Sequence, residues 1–192
     1  MSKVHNKAPV TKAELRRRLL EFVPCPKVFE THSGPGIMRR AVYSDVEDWV
    51  GVDLDPNAPD AIHADSVLVM RAMNISAFNF FDVDAFGSPW QHIWVISQRW
   101  TGIPPLGLVW TDGNRKGLSA KHPTPRSSGW SRQLVEATGI SLDTPPRKYW
   151  GKYKERAPLK IIQAFFPGMT VMQYITGTDN KHKMAYEGVV LK

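Results

Sequence analysis

The chain predicts an α/β fold: a mostly parallel sheet with helices packed against it and an antiparallel hairpin at its end. Three observations carry that prediction. Strand-like and helix-like apolar runs alternate from residue 27 to residue 112, the pattern of a parallel sheet joined by right-handed crossovers. Five successive strand candidates finish in carboxylates, namely Glu30, Asp53 with Asp55, Asp65, Asp82 with Asp84, and Asp112. In open parallel sheets, ligands sit beyond the carboxyl ends of the strands, where strand order reverses. Finally, two β-like runs flank the turn signal TDNK at 178–181.

Taken in order, TKAELRRRLLEF (11–22) reads as a helix. Thr11 is the expected N-cap with Glu14 three positions later, and Leu15, Leu19, Leu20 and Phe22 form its apolar face. Pro24 and Pro26 end it. KVFETH (27–32) reads as a strand, SGPG (33–36) as a tight turn and GIMRRAVYSDV (36–46) as a short helix. DWVGVDLD (48–55) and AIHAD (61–65) are the next strands, followed by a helix over 66–73. AFNFFDVD (77–84) is a strand, PWQHIWVISQRW (89–100) a helix and PLGLVWTD (105–112) a strand. Residues 113–129 read as loop, with helices over 130–138 and 146–165 and closing strands on either side of TDNK. Only five residues separate Asp55 from Ala61. A helical crossover between parallel strands needs about a dozen, so the second and third strands are expected to lack a helix between them.

The chain has 192 residues, the size of one ordinary domain. No apolar stretch is long enough to span a bilayer, and the first 22 residues contain no apolar core of a secretory signal. A cytoplasmic protein without a membrane partner is therefore expected. A single cysteine, Cys25, excludes an internal disulfide and a cysteine-based metal site, and His63, His92, His122 and His182 show no metal-ligand spacing. The net charge of +7 is unevenly placed. Residues 1–27 carry +5, residues 28–112 carry −7 and residues 113–160 carry +8. Basic blocks interleaved with Trp130, Tyr149, Trp150 and Tyr153 suit a nucleic acid, whose backbone takes the charge and whose bases stack.

VFETHSGPGI (28–37) is strand, glycine-rich turn and helix, and VGVDLDP (50–56) supplies an acid at the next strand. In nucleotide-type sites such an acid accepts from the ribose hydroxyls, a role that falls to Asp53. A dinucleotide site would carry the fuller G-x-G-x-x-G, but Arg39 stands at the third glycine position and Glu30 precedes the turn. A carboxylate repels pyrophosphate and attracts a cationic group such as the amine of a methionine moiety. That points to S-adenosylmethionine rather than NAD as cofactor. Asp65, in HADS (63–66), is placed to accept from the adenine amine.

These motifs in this order resemble the class I S-adenosylmethionine-dependent methyltransferases. FETHSGPG is similar to their first motif, VDLD to the ribose acid and ADS to the adenine-binding acid. More narrowly, DVDAFGSP (82–89) resembles the D-x-D-P-F-G-[ST]-P signature of the tRNA guanine-N2 dimethyltransferases. THSGPGIMRRA (31–41) and GLVWTDGNRKGL (107–118) resemble two further stretches of that family. The resemblance covers residues 27–118, with a weaker echo in the closing hairpin. It implies a Rossmann-like class I methyltransferase fold with a mostly parallel seven-stranded sheet. It also implies a single methyltransferase domain over 27–192, behind a basic helix and linker over 1–26. The cofactor contacts implied are Glu30, His32, Ser33, Gly34, Gly36, Asp53, Leu54, Asp65, Ser66 and Asp82. Ala85 replaces the family's proline. The family's additional RNA-docking domain has no counterpart in these residues, so either basic helices at 11–18 and 146–160 take over its contacts or the substrate is smaller than a tRNA.

Residues i and i+2 of a strand face the same way, so Asp82 and Asp84 are both expected to point toward the crevice. An exocyclic base amine is a poor nucleophile because its lone pair is delocalised into the ring. An acid that accepts its N–H groups orients it and stabilises the positive charge that grows as the methyl arrives. Asp84 is the expected acceptor, Asp82 its support, and Phe86 a stacking platform for the base. Gly87, Ser88 and Pro89 shape the loop around the amine, and Asp112, Arg115 and Lys116 are further expected substrate contacts. The function expected is methyl transfer to such an amine, guanine N2 in RNA first. The alternatives are an adenine or cytosine amine in DNA, or a nucleic-acid-binding relative that has lost catalysis.

Overall fold

The computed structural model describes residues 9–85, 88–112, 157–178 and 185–192. Its elements are α1 (Pro9–Leu20), β1 (Val28–Glu30), α2 (Ile37–Ala41), β2 (Trp49–Asp53), β3 (Ala61–His63), α3 (Ser66–Ala72), β4 (Phe80–Val83), α4 (Trp90–Arg99), β5 (Leu106–Asp112), α5 (Ala157–Phe165), β6 (Val171–Thr178) and β7 (Ala185–Leu191). The sheet has seven strands in the order β3-β2-β1-β4-β5-β7-β6. All neighbours pair in parallel except β7, which runs antiparallel to both β5 and β6. The mostly parallel sheet with a C-terminal antiparallel hairpin is thus the architecture expected from the sequence. The helices expected over 130–138 and the first part of 146–165 lie outside the described residues.

Strand alternation divides the apolar residues between two cores. On one face Phe29, Val52, Phe81, Val83, Leu108 and Trp110 pack under α3, α4 and α5. On the other, Val28, Phe80, Val109, Tyr186 and Val190 pack under α1 and α2. Order reverses at β1, which pairs with β2 on one side and β4 on the other. The crevice beyond the carboxyl ends of β1 and β4 is therefore the expected ligand position.

No helix joins β2 to β3, which pair directly in parallel across residues 54–60. Trp49 covers the face left bare. Its ring folds over Gly51, where an added Cβ would overlap it, and the Arg39 guanidinium lies 5.2 Å from the ring centroid.

The N-terminal helix differs from its sequence reading. It begins at Pro9, a residue suited to a first helical position, so Thr11 lies inside the helix rather than capping it. Its buried face is Lys12, Ala13, Leu15, Arg16 and Leu19, whereas Leu20 is half-buried and Phe22 is 40% exposed. Two cations one turn apart sit where a purely apolar stripe was expected. Leu19 lies against Gly188 of β7: a methyl there would overlap Leu19 Cδ1 and press on the Leu108 carbonyl at 3.1 Å. Gly188→Ala should therefore destabilise the protein by about 1–3 kcal/mol through overpacking, read as a lower urea midpoint with unchanged slope.

Candidate active site

The glycine-rich turn is tied to the end of β2. Ser33 N donates to Val52 O at 3.1 Å, and Gly34 N donates to Asp53 Oδ2 at 2.7 Å. Gly34 and Gly36 have φ of 51° and 71°, a left-handed backbone that side chains resist. The chain can therefore turn sharply from β1 into α2. Asp53 Oδ1 also accepts from Asp55 N at 2.8 Å. Each Asp53 oxygen keeps a second lone pair for a ligand.

Beyond these strand ends lies a cleft of about 310 Å³ lined by Thr31, His32, Leu54, Asp65, Ser66 and His92 among others. Leu54 and Leu68, 72% and 62% exposed, are both in its lining. Asp65 caps α3, its Oδ1 accepting from Val67 N at 2.8 Å and Leu68 N at 3.1 Å. That leaves Oδ2 as the oxygen to meet a ligand. The Ser66 hydroxyl sits 2.9 Å from His92 Nε2, and Thr31 Oγ1 lies 2.7 Å from His32 Nδ1. Burial lowers both histidines, His92 to about 4, so both are neutral at pH 7. His92 Nδ1 and Ser33 Oγ are buried with no hydrogen-bond partner among the described residues. The sequence shows no metal-ligand spacing for His92 and no other site role. The residue is buried, and it also lines the cleft.

Asp82 and Asp84 face the same side of β4, but that side is covered by α1. Arg16 holds Asp82 with two bonds, Nε to Oδ2 at 2.5 Å and Nη2 to Oδ1 at 2.6 Å, both side chains fully buried. Tyr43 OH donates to Asp82 Oδ2 at 2.7 Å. Burial, then the Asp82 charge, push the Tyr43 hydroxyl well above its ordinary value, so it remains a donor. Asp82 therefore faces Arg16 and Tyr43 rather than an open crevice. Asp84 is reached by Lys12 Nζ at 2.7 Å from Oδ1 and 2.9 Å from Oδ2. Its side chain is 23% exposed. Burial works against the Asp84 charge, but Lys12 and then Arg16 outweigh it and hold the carboxyl below its usual range.

Glu30 does not line the cleft. It is 1% exposed and accepts from Trp49 Nε1 at 3.1 Å. Burial, then the Asp82 charge, raise its carboxyl well above the ordinary value. The sequence predicts an anion presented to an ammonium group, whereas burial removes the access and disfavours the charge. A folded-state value above the unfolded one means that the native state binds the extra proton. Stability then falls as pH rises above the ordinary carboxylate value. Glu30→Gln keeps an acceptor for Trp49 and removes that cost. It should raise the urea midpoint at pH 7 to 8 and raise it less near pH 4.

Asp112, at the end of β5, is 5% exposed, while Ser88 is half-buried and Pro89 is buried directly before α4. Phe86, Gly87, Arg115 and Lys116 lie outside the described residues. The structure thus brings His32, Leu54, Asp65 and Ser66 to one cleft, with Ser33, Gly34, Gly36 and Asp53 in the adjoining turn and strand end. Asp84 is held beside α1. Lys12, Arg16, Tyr43 and Trp49 are neighbours of these acids that the sequence did not single out. No described helix is long and apolar enough to cross a membrane. Among the described residues no group of three or more His, Cys, Asp or Glu could hold a metal ion.

No protein-family model matches the chain, and no curated protein matches it. Among solved structures it is similar to Trm1 from Pyrococcus horikoshii in complex with S-adenosyl-L-methionine. The TM-score is 0.64 at 15% identity, over 95% of this chain and 55% of that one. It is also similar to the cyclopropane synthase MmaA2 from Mycobacterium tuberculosis, with TM-score 0.50 and 11% identity over 95% of this chain and 83% of that one. The chain thus spans little more than half the length of the Trm1 structure. At these identities the likeness is one of fold, and the fold is that of the class I methyltransferases.

Proposed function

We propose that the chain is an S-adenosylmethionine-dependent methyltransferase acting on an exocyclic amine of a nucleic-acid base, with guanine N2 in RNA the favoured target. The observation that carries this reading is the placement of Asp84. It lies just past the carboxyl end of β4, beside the strand-order switch, and opens the A-F-G-S-P stretch.

The residues present fit the cofactor. The cleft volume suits a nucleoside-sized group, and one residue of its wall, His92, carries a buried ring nitrogen without a partner among the described residues. Asp53 would take the ribose hydroxyls, Asp65 Oδ2 the adenine amine, and Leu54 and Leu68 the faces of the ring. His32, Ser33, Gly34 and Gly36 are left for the methionine half. Bound there, S-adenosylmethionine supplies an electrophilic methyl carbon. The chain's own part is positioning and charge. Asp84 accepts the N–H groups of the base amine, turns its lone pair toward the methyl and stabilises the positive charge that develops. Asp82 does not touch substrate in this scheme. With Arg16 and Tyr43 it fixes the strand that carries Asp84. Phe86, outside the described residues, is proposed as the stacking partner of the base on its place in the sequence alone.

Transfer of labelled methyl from S-adenosylmethionine to RNA and DNA, followed by digestion to nucleosides, tests the reading. N2-methylated guanosine is the expected product. A methylated adenine or cytosine amine in DNA would move the target and keep the chemistry. No labelled base in either polymer would leave a nucleic-acid-binding relative.

A further inference from the structure

The Lys12–Asp84 pair is awkward for the chemistry just proposed, and that difficulty is informative. One ammonium already occupies both oxygens of the acid meant to receive a base amine. A cation there also cancels part of the field that would stabilise positive charge on the reacting nitrogen. The neighbouring pair is built differently. Arg16 and Asp82 are both fully buried and joined by a planar two-bond fork, whereas Lys12 keeps 7% and Asp84 23% of the side chain in solvent, so the second pair is the one that solvent reaches. Lysine is a compact charge on a flexible stem with rotatable donors, suited to changing partners, and arginine is not. The registers match as well. Four residues of helix rise about 6 Å and two residues of strand about 6.6 Å. Seating Arg16 on Asp82 therefore delivers Lys12 to Asp84. Lys12 also lies 5.2 Å from the centre of the Tyr186 ring, a cation–π contact that accepts a neighbouring cation without neutralising it.

We propose that Lys12 is an internal stand-in for the substrate amine: it closes Asp84 at rest and transfers to the phosphate backbone of a bound nucleic acid, which opens the acid to the base. This rests on the function proposed above and adds its regulation. Arg16 is the fixed anchor and Lys12 the exchangeable contact. A phosphate is the group able to take Lys12 away, because it offers an ammonium an anion while the incoming amine offers Asp84 new donors. The polymer's backbone would then license chemistry on its base, and a free nucleoside would meet a closed acid.

The test follows the Asp84 carboxyl directly by carbon-13 NMR of the labelled protein, with the resonance assigned from Asp84→Asn. The charged and titratable groups around it are Lys12 and Arg16 from α1, Asp82 on its own strand, Glu30 and His32 from the first strand and its turn, and Tyr186 of β7 beside Lys12. Of these only Lys12 is expected to leave. Adding a single-stranded RNA oligomer should raise the Asp84 titration midpoint by about 1 to 3 pH units, the effect of losing one adjacent opposite charge. Lys12→Met should show the raised midpoint without RNA and no further rise with it. Lys12→Arg should hold the low midpoint more firmly against RNA. In parallel, Lys12→Met should raise methyl transfer to a free nucleoside relative to RNA. An unchanged Asp84 midpoint on saturation with an RNA that the protein methylates would overturn the exchange and leave the function standing. A midpoint that rises with RNA while no base is methylated would keep the exchange and overturn the function. If neither occurs, both fall.

Discussion

Asp84→Asn should lower methyl transfer by about 10²- to 10³-fold, the effect of removing one preorganised charge from the point where charge develops. Binding of S-adenosylhomocysteine should be unchanged, because Asp84 is not among the residues lining the cleft. Asparagine is the informative replacement. It keeps an acceptor for Lys12 and the shape of the strand end, so a loss of rate reports on charge rather than folding. Single-turnover kinetics separate the two effects. A slow chemical step with normal cofactor affinity is the expected result. The Asp84 carboxyl titrates below its usual range. Its stabilising ion pair is therefore fully present above the ordinary carboxylate value and is lost as pH falls through the folded-state value. The variant should lose that acid-side component of stability.

Arg16→Met should be the most damaging single change to the fold. Arg16 and Asp82 are both fully buried, and removing the guanidinium leaves a carboxylate in the interior whose remaining side-chain donor among the described residues is the Tyr43 hydroxyl. Breaking a buried pair from one side costs about 3–5 kcal/mol, which for a chain of this length corresponds to a fall in Tm of the order of 10 °C. Thermal unfolding followed by circular dichroism checks it. Burial works against the Arg16 charge, but Asp82 outweighs it and raises the guanidinium above its already high value, so Arg16 does not escape by losing a proton. The double variant Arg16→Met/Asp82→Leu should recover part of the loss, since two apolar side chains fill the space. It should not recover all of it, because Tyr43 then loses its acceptor.

The sheet was legible in the sequence because its signals are local. The acids at the ends of strand candidates mark the carboxyl edge, and the five residues between Asp55 and Ala61 rule out a helix there. The cleft was legible for the same reason, since the glycine turn, Asp53, Leu54 and the Asp65–Ser66 pair lie close in sequence and fold to one place. The charge network was not. Lys12 and Arg16 pair with acids 72 and 66 residues away, and no periodicity within α1 announces a partner at that distance. A face scored by apolar spacing favours Leu20 and Phe22, and tertiary charge pairing overrode it. One signal was present: two basic residues a turn apart, Lys12 and Arg16, on the same helix face as Ala13, Leu15 and Leu19 and spaced like two acids on a strand. Tyr43 and Trp49 gave no sign of their roles: Tyr43 meets Asp82 39 residues away on β4, and Trp49 covers the sheet face left bare between the second and third strands. Glu30 misled because its position in the motif shows which strand end it occupies and not that the side chain is sealed.

Every functional step above requires that the cleft hold the cofactor. A calorimetric titration of the purified protein with S-adenosylhomocysteine, with Asp53→Ala alongside, tests that requirement. One site per chain is expected, with a Kd of about 1–100 μM, within the range in which loss of two hydrogen bonds is readily measured. The site should be lost in the variant, whose turn at Gly34 also loses its anchor. Absence of binding, in the free protein and again with RNA present, would contradict that requirement.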